Sequence, residues 1–200
     1  MPESNRSGFD ANLRLYAQMQ PDAASLAHML ALQETLAAGP PRGARPVPRR
    51  QMHLTLIHFG KVLDVYRIIH GASGIALPEY ERLLSGYIDR TEALLPADSF
   101  RLEPVGLAGF GAHGRVLAAE YRPTPELTAL HSQLLGELTV FLAACGVTDT
   151  AAFMASDPNF RFAPVLRPHI TLARGFAGSP PERSLQPGTL TPMPVVYPGR

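Results

Sequence analysis

The pattern His, apolar, Thr, apolar occurs twice in this chain, as His53-Leu54-Thr55-Leu56 and as His169-Ile170-Thr171-Leu172. Successive side chains of an extended strand point to opposite faces, so the His and Thr of each copy look one way and the apolar pair the other. Each copy therefore predicts a strand with an imidazole and a hydroxyl on one face and core-forming residues on the other. One such strand is ordinary packing around a satisfied histidine. Two of them suggest a site built on two histidines, with the rest of the chain as the frame that brings them together.

That frame can be read in order. Residues 1–11 read as a flexible N-terminus, and 12–200 as a single domain. Leu13, Leu15, Ala17 and Met19 alternate with polar residues and predict a half-buried strand with Arg14, Tyr16 and Gln18 on its polar face. Pro21-Asp22 opens a helix with Leu26, Met29, Leu30 and Leu36 on its apolar stripe. The Pro- and Gly-rich run from Gly39 to Pro48 is a loop, ending in Arg49-Arg50 just before the first tetrad. A short helix over Val62–Ile69 and a long one from Pro78 to Leu95 come next, broken at Gly71–Gly74. Strands are expected around Phe100–Glu103 and Arg115–Tyr121, with a flexible link through Gly106, Gly109, Gly111 and Gly114. Thr124-Pro125-Glu126 starts a helix that runs to Gly146. A polar, irregular stretch (147–159) leads to the second tetrad, and the tail holds one strand candidate near Met193–Tyr197. This order predicts an α+β fold in which each half contributes a sheet with helices on its outer face.

The bulk composition narrows the function. The formal net charge is +1, so no global field draws in nucleic acid, and polyanion contacts must come from locally placed arginines. Lys61 is the sole lysine. The single cysteine, Cys145, excludes an internal disulfide and a cysteine metal site, and its apolar setting marks it as core. The first dozen residues lack the apolar stretch of a secretory signal, and no apolar run is read as approaching the length of a bilayer span. The expected location is the cytoplasm and the expected state a monomer without an obligate protein partner or membrane.

Histidine is the side chain that gives or takes a proton near neutrality. Two imidazoles beside one substrate allow one to act neutral as base and the other charged as acid, which suits displacement at phosphorus. Threonine hydroxyls on the same face can donate to non-bridging phosphate oxygens and stabilise charge in the transition state. A metal site is the rival, but there is no His-x-His, no His-Glu-x-x-His and no carboxylate spaced to complete a ligand set. Phosphoester chemistry without metal or cofactor is the better fit.

With these tetrads the chain resembles the 2H phosphoesterase superfamily, defined by two His-x-Thr/Ser-x motifs. It is most similar to the RNA 2',3'-cyclic phosphodiesterase (2'-5' RNA ligase-like) branch. Supporting context comes from Arg14-Leu15-Tyr16-Ala17, Phe59-Gly60, Gly109-Phe110-Gly111, Arg115-Val116-Leu117 and Pro168 to Arg174. The resemblance implies a bilobal fold, two antiparallel sheets with outer helices around a pseudo-two-fold cleft. It implies hydrolysis of a 2',3'-cyclic phosphate, at RNA ends or in small cyclic nucleotides, to a 2'-phosphate. Carried over, His169 is the proton acceptor, His53 the proton donor, and Thr55 and Thr171 hold the phosphate. The alternatives are 2'-5' RNA end joining, another phosphodiester substrate, or a nucleotide- or RNA-binding module without turnover. The 61–99 and 147–163 segments look longer than usual for the family, which leaves substrate identity open.

Arg174, Tyr16 and Arg50 are further candidates for substrate contact: Arg174 at the cleft edge, Arg50 (with Arg49) on an RNA backbone, Tyr16 stacking a base. His58 lies an odd number of positions after His53, so strict alternation turns it to the opposite face as a structural residue. His70, His113 and His131 are read as structural too, and His28 as a surface residue.

Overall fold

The computed structural model describes residues 9, 12–37, 44–176, 178–180, 182, 185–193 and 196–197. Residues 1–8, 10 and 11 of the expected flexible N-terminus and residues 39–43 of the 39–48 loop fall outside these residues. The alternation after Leu13 forms strand β1 (Arg14–Pro21), with Leu15, Ala17 and Met19 buried. Asp22 then accepts a hydrogen bond from the Ser25 amide at 2.8 Å and caps α1 (Ala23–Ala37). A two-residue strand β2 (Arg45–Pro46) and a 3-10 turn (Arg49–Gln51) lead into β3 (Leu54–Lys61).

Helices α2 (Val62–Ser73) and α3 (Leu77–Leu94) come after it, divided at Gly74, whose φ of 74° takes the left-handed cap that glycine adopts without strain. Strands β4 (Phe100–Leu102), β5 (Pro104–Phe110) and β6 (Val116–Tyr121) come next. The glycine-rich link expected here is thus mostly strand: β5 pairs with β6 from Pro104↔Tyr121 to Phe110↔Val116, and only residues 111–114 turn. Glycine lowers strand propensity, but a paired neighbour supplies the backbone bonds that propensity ignores. At Gly109 the absence of a side chain is what lets the backbone of Gly114 approach, since a Cβ there would stand 3.2 Å from the Gly114 carbonyl oxygen.

Helix α4 (Pro125–Ala144) starts where expected, with the Thr124 hydroxyl accepting from the Leu127 amide at 3.2 Å. By length and composition it is the one described helix long and apolar enough to cross a membrane, contrary to the expectation that no run comes close. Its Leu127, Leu130, Leu134, Leu138 and Phe141 are buried, facing α3 and β3, as in the core helix of a globular domain. The stretch expected to be irregular contains α5 (Thr150–Ser156), capped by the Asp149 carboxylate. Strands β7 (His169–Arg174), β8 (Gly188–Pro192) and β9 (Val196–Tyr197) complete the chain. The tail candidate near Met193–Tyr197 is met by β9, whereas β8, which precedes it, was not expected; both pair with β1.

All nine strands among the described residues join one antiparallel sheet, ordered β4-β8-β1-β3-β7-β6-β5, with β9 on β1 and β2 on β7. The two sheets expected from the sequence are therefore wings of a single path. Their seam is one residue pair, Leu54↔Ile170. The strands β3 and β7 overlap only at their first residues and, being antiparallel, run off in opposite directions. Helix α1 from the first half packs against β1 and β7, and α4 from the second half against β3, so each half covers part of the other. Phe59 of β3 anchors the larger core, with ring centroids 5.6 Å from Tyr87, 5.7 Å from Phe141 and 5.7 Å from Phe160.

Candidate active site

The seam sets the geometry of the tetrads. Carrying the Leu54↔Ile170 register one residue either way puts His53 across from Thr171 and Thr55 across from His169. Leu54 and Ile170 are buried on the core face, so all four polar side chains share the other face. Each histidine thus stands opposite the other copy's threonine, on a local two-fold through the Leu54–Ile170 pair. The four line one cleft of about 480 Å³.

Beyond the tetrads the strands depart from simple alternation. Across β1 and β3 the partners run Gln18↔Thr55, Ala17↔Ile57, Tyr16↔His58, Leu15↔Gly60 and Arg14↔Lys61, which leaves Leu56 and Phe59 as extra residues on β3. Each extra residue is a bulge that flips the parity of the residues after it. Thr55, His58 and Lys61 therefore return to the cleft at intervals of three, and Leu56-Ile57 and Phe59-Gly60 are buried as pairs between them. The second copy repeats the first of these bulges: Ala118 pairs with Thr171 and Leu117 with Ala173, so Leu172 is the extra residue.

These bulges overturn one expectation and bear on a second. His58, read as facing away, lines the cleft, its ring centroid 5.1 Å from that of Tyr16. Arg174 holds the equivalent position after Thr171 and lines the cleft as well. Of the other candidates, Tyr16 and Arg50 line the cleft, and the Tyr16 hydroxyl accepts from Arg14 Nη1 at 3.2 Å. Arg49 does not reach it and borders a separate shallow hollow beside Pro21 and Met52. Arg14, Gln18, Gln51 and Lys61 also line the cleft and were not singled out. The signal for Lys61 and His58 was present in the run Leu-Thr-Leu-Ile-His-Phe-Gly-Lys, where paired apolar residues replace strict alternation.

The two tetrad imidazoles differ in setting. His169 Nδ1 lies 2.8 Å from the Arg167 carbonyl oxygen, an acceptor only, so Nδ1 carries the proton and donates it there. That leaves Nε2 with a free lone pair in the neutral ring. The ring stacks on Phe110 at 4.1 Å, and the far face of Phe110 carries the Arg167 guanidinium at 4.0 Å, itself paired with Glu120. Burial holds His169 below the ordinary imidazole pKa, opposed by its bond to the Arg167 carbonyl. His53 is lowered first by burial, then by the charge of Arg174, then by His169 and His58. His58, 3.4 Å from the Asn159 carbonyl oxygen, is also lowered, chiefly by burial.

The remaining histidines are structural or peripheral. His131 is buried against the Ala163 carbonyl oxygen at 2.9 Å, His70 meets the Ile75 carbonyl at 2.8 Å, and His113 sits in the 111–114 turn. His28 accepts from the Gln186 amide at 3.2 Å. The Cys145 thiol is buried and pushed up to about 12, which suits a core residue. Among the described residues, no group of three or more His, Cys, Asp or Glu side chains is placed to hold a metal ion.

No family model and no curated protein sequence matches the chain. Solved structures share its architecture. The TT0787 protein of Thermus thermophilus is 21% identical, over 93% of this chain and 84% of that one, with a TM-score of 0.55. LigT of E. coli in apo form is 21% identical over 92% of this chain and 96% of its own, with a TM-score of 0.51. LigT complexed with ATP is 21% identical over 90% and 94%, with a TM-score of 0.50. The chain has the fold of these proteins, and the resemblance drawn from its two tetrads holds at the level of that fold.

Proposed function

We propose that the chain is a phosphodiesterase that opens 2',3'-cyclic phosphates, at RNA ends or in small nucleotides, to 2'-phosphates. The observation that carries this reading is the arrangement of His53, Thr55, His169 and Thr171 on one face of a single seam pair. His169, with Nδ1 committed to the Arg167 carbonyl, presents Nε2 as the base. It takes a proton from water as the water oxygen attacks phosphorus. The bond from phosphorus to the 3' oxygen breaks, and His53 delivers its proton to that oxygen. Thr55, Thr171 and the Arg174 guanidinium donate to the non-bridging oxygens, where charge accumulates. These groups need no metal or cofactor, and a cytoplasmic monomer acting alone completes the reading.

The test is turnover of a 2',3'-cyclic nucleotide in the presence and absence of EDTA. Turnover should survive the chelator and yield the 2'-phosphate. His53→Ala and His169→Ala should each lower kcat by about 10²- to 10⁴-fold, the usual worth of a positioned acid or base. Full activity in either variant removes that histidine from the mechanism, and loss with EDTA removes the metal-free step. Joined RNA ends in place of a 2'-phosphate would favour the ligase reading, and tight nucleotide binding without turnover a binding module.

A further inference from the structure

The cleft continues past the tetrads, and its far end has a different chemistry. Along β1 and β3 the cleft face is a ladder of three cross-strand rungs, Gln18 with Thr55, Tyr16 with His58, and Arg14 with Lys61. The last rung sets two cations directly opposite each other. Like charges at facing positions destabilise a strand pair, so such a rung needs an outside reason. Among the described residues, no ion pair involves Arg14 or Lys61 and no carboxylate lines the cleft. Composition does not explain the clustering, since the chain's 18 basic residues are balanced by 17 acidic ones and Lys61 is its only lysine.

Gln18 and Arg14 are four positions apart on β1, about 13 Å at the rise of an extended strand. That is beyond the reach of one phosphate held at the tetrads; the two phosphates of one nucleotide lie closer together than this, and the long Arg14 and Lys61 side chains supply the rest of the reach. Resting on the reading of the tetrads as the reacting end, we propose that Arg14 and Lys61 bind a second phosphate, on the 5' side of the reacting nucleotide. The substrate class is then a nucleotide or RNA end with at least two phosphates, one at the tetrads and one at this rung. Its sugar and base lie over the Tyr16–His58 pair between them.

The test is a binding measurement that does not depend on turnover. Calorimetric affinities are compared for adenosine 2'-monophosphate, adenosine 2',5'-bisphosphate and a dinucleotide ending in a 2'-phosphate. The second phosphate should tighten binding by about tenfold or more, the worth of one charge-assisted contact. Arg14→Gln and Lys61→Gln should each reduce that advantage, and the double variant, checked to melt no lower than the parent, should remove it. An advantage confined to the dinucleotide assigns the rung to an internucleotide phosphate, and one shared by the bisphosphate assigns it to any 5'-phosphate. Equal affinities in the unaltered protein, or an advantage that survives in the double variant, would overturn the proposal. Failure to turn over any cyclic phosphate would strike the proposed reaction and leave this comparison of affinities to stand or fall by itself.

Discussion

Replacing Gln33 with methionine probes how the cleft is held from behind. Gln33 lies on the buried side of α1, where its Nε2 donates to the Val47 carbonyl at 2.9 Å and to the Leu172 carbonyl at 2.6 Å. Leu172 is the extra residue of the β7 bulge, and its carbonyl also accepts from the Val47 amide at 2.9 Å. Gln33→Met keeps the length of the side chain and removes its amide, and with it the Nε2 donor of both bonds. Val47 then loses its partner outright, while Leu172 keeps one of two. A buried acceptor left without its donor costs about 1–3 kcal/mol, and a weakened one about 1, so the expected loss is about 2–4 kcal/mol. In a domain of this size each kcal/mol lowers the melting temperature by about 2–4 °C, so the variant should melt about 4–16 °C lower. Thermal and urea unfolding would measure this, with an unchanged urea slope showing that the unfolded state is not responsible. A melting temperature within about 2 °C of the parent would refute the reasoning, since it would mean the bulge carries itself.

Two further outcomes are expected from the site and its scaffold. The proposed reaction needs His53 charged and His169 neutral, and both pKa values lie below the ordinary 6.5, so at neutral pH the acid is the scarce partner. The kcat/KM profile should therefore rise as pH falls through neutrality and peak below about 6.5. Arg174→Gln removes a positive charge that depresses His53, so the basic limb should move to higher pH while kcat/KM falls; a basic limb that stays in place would sever Arg174 from His53. Gly60→Ala acts on stability instead. Gly60 sits at φ 101°, where a Cβ would meet the Asn159 side-chain oxygen at 3.2 Å, so urea unfolding should show a loss of roughly 1–3 kcal/mol, and an unchanged midpoint would contradict it.

Much of the fold was legible because it is locally encoded. The β1 alternation, the Thr124 cap and the apolar stripes of α3 and α4 are decided by residues a few positions apart, and each forms where those residues put it. Elements decided by partners were harder to read. β5 is glycine-rich and is a strand because β6 lies beside it, and β8 reads as a proline-flanked tail until β1 and β4 pair with it.

The same division runs through the site. His53, Thr55, His169 and Thr171 could be named from sequence because a His and a Thr two positions apart share a face in any regular strand, whatever pairs with it. Which later residues rejoin that face depends on whether a bulge intervenes, and a bulge exists only between two paired strands. Leu56, Phe59 and Leu172 become extra residues because the buried layer accepts two consecutive apolar positions where β1 or β6 offers one partner. That choice turned His58 and Lys61 into the cleft and brought Arg174 to the charge field of His53. The sequence by itself determined the candidate reacting groups, through local periodicity. Only the tertiary structure decided what surrounds them, because register and bulges are properties of strand pairs and not of single strands.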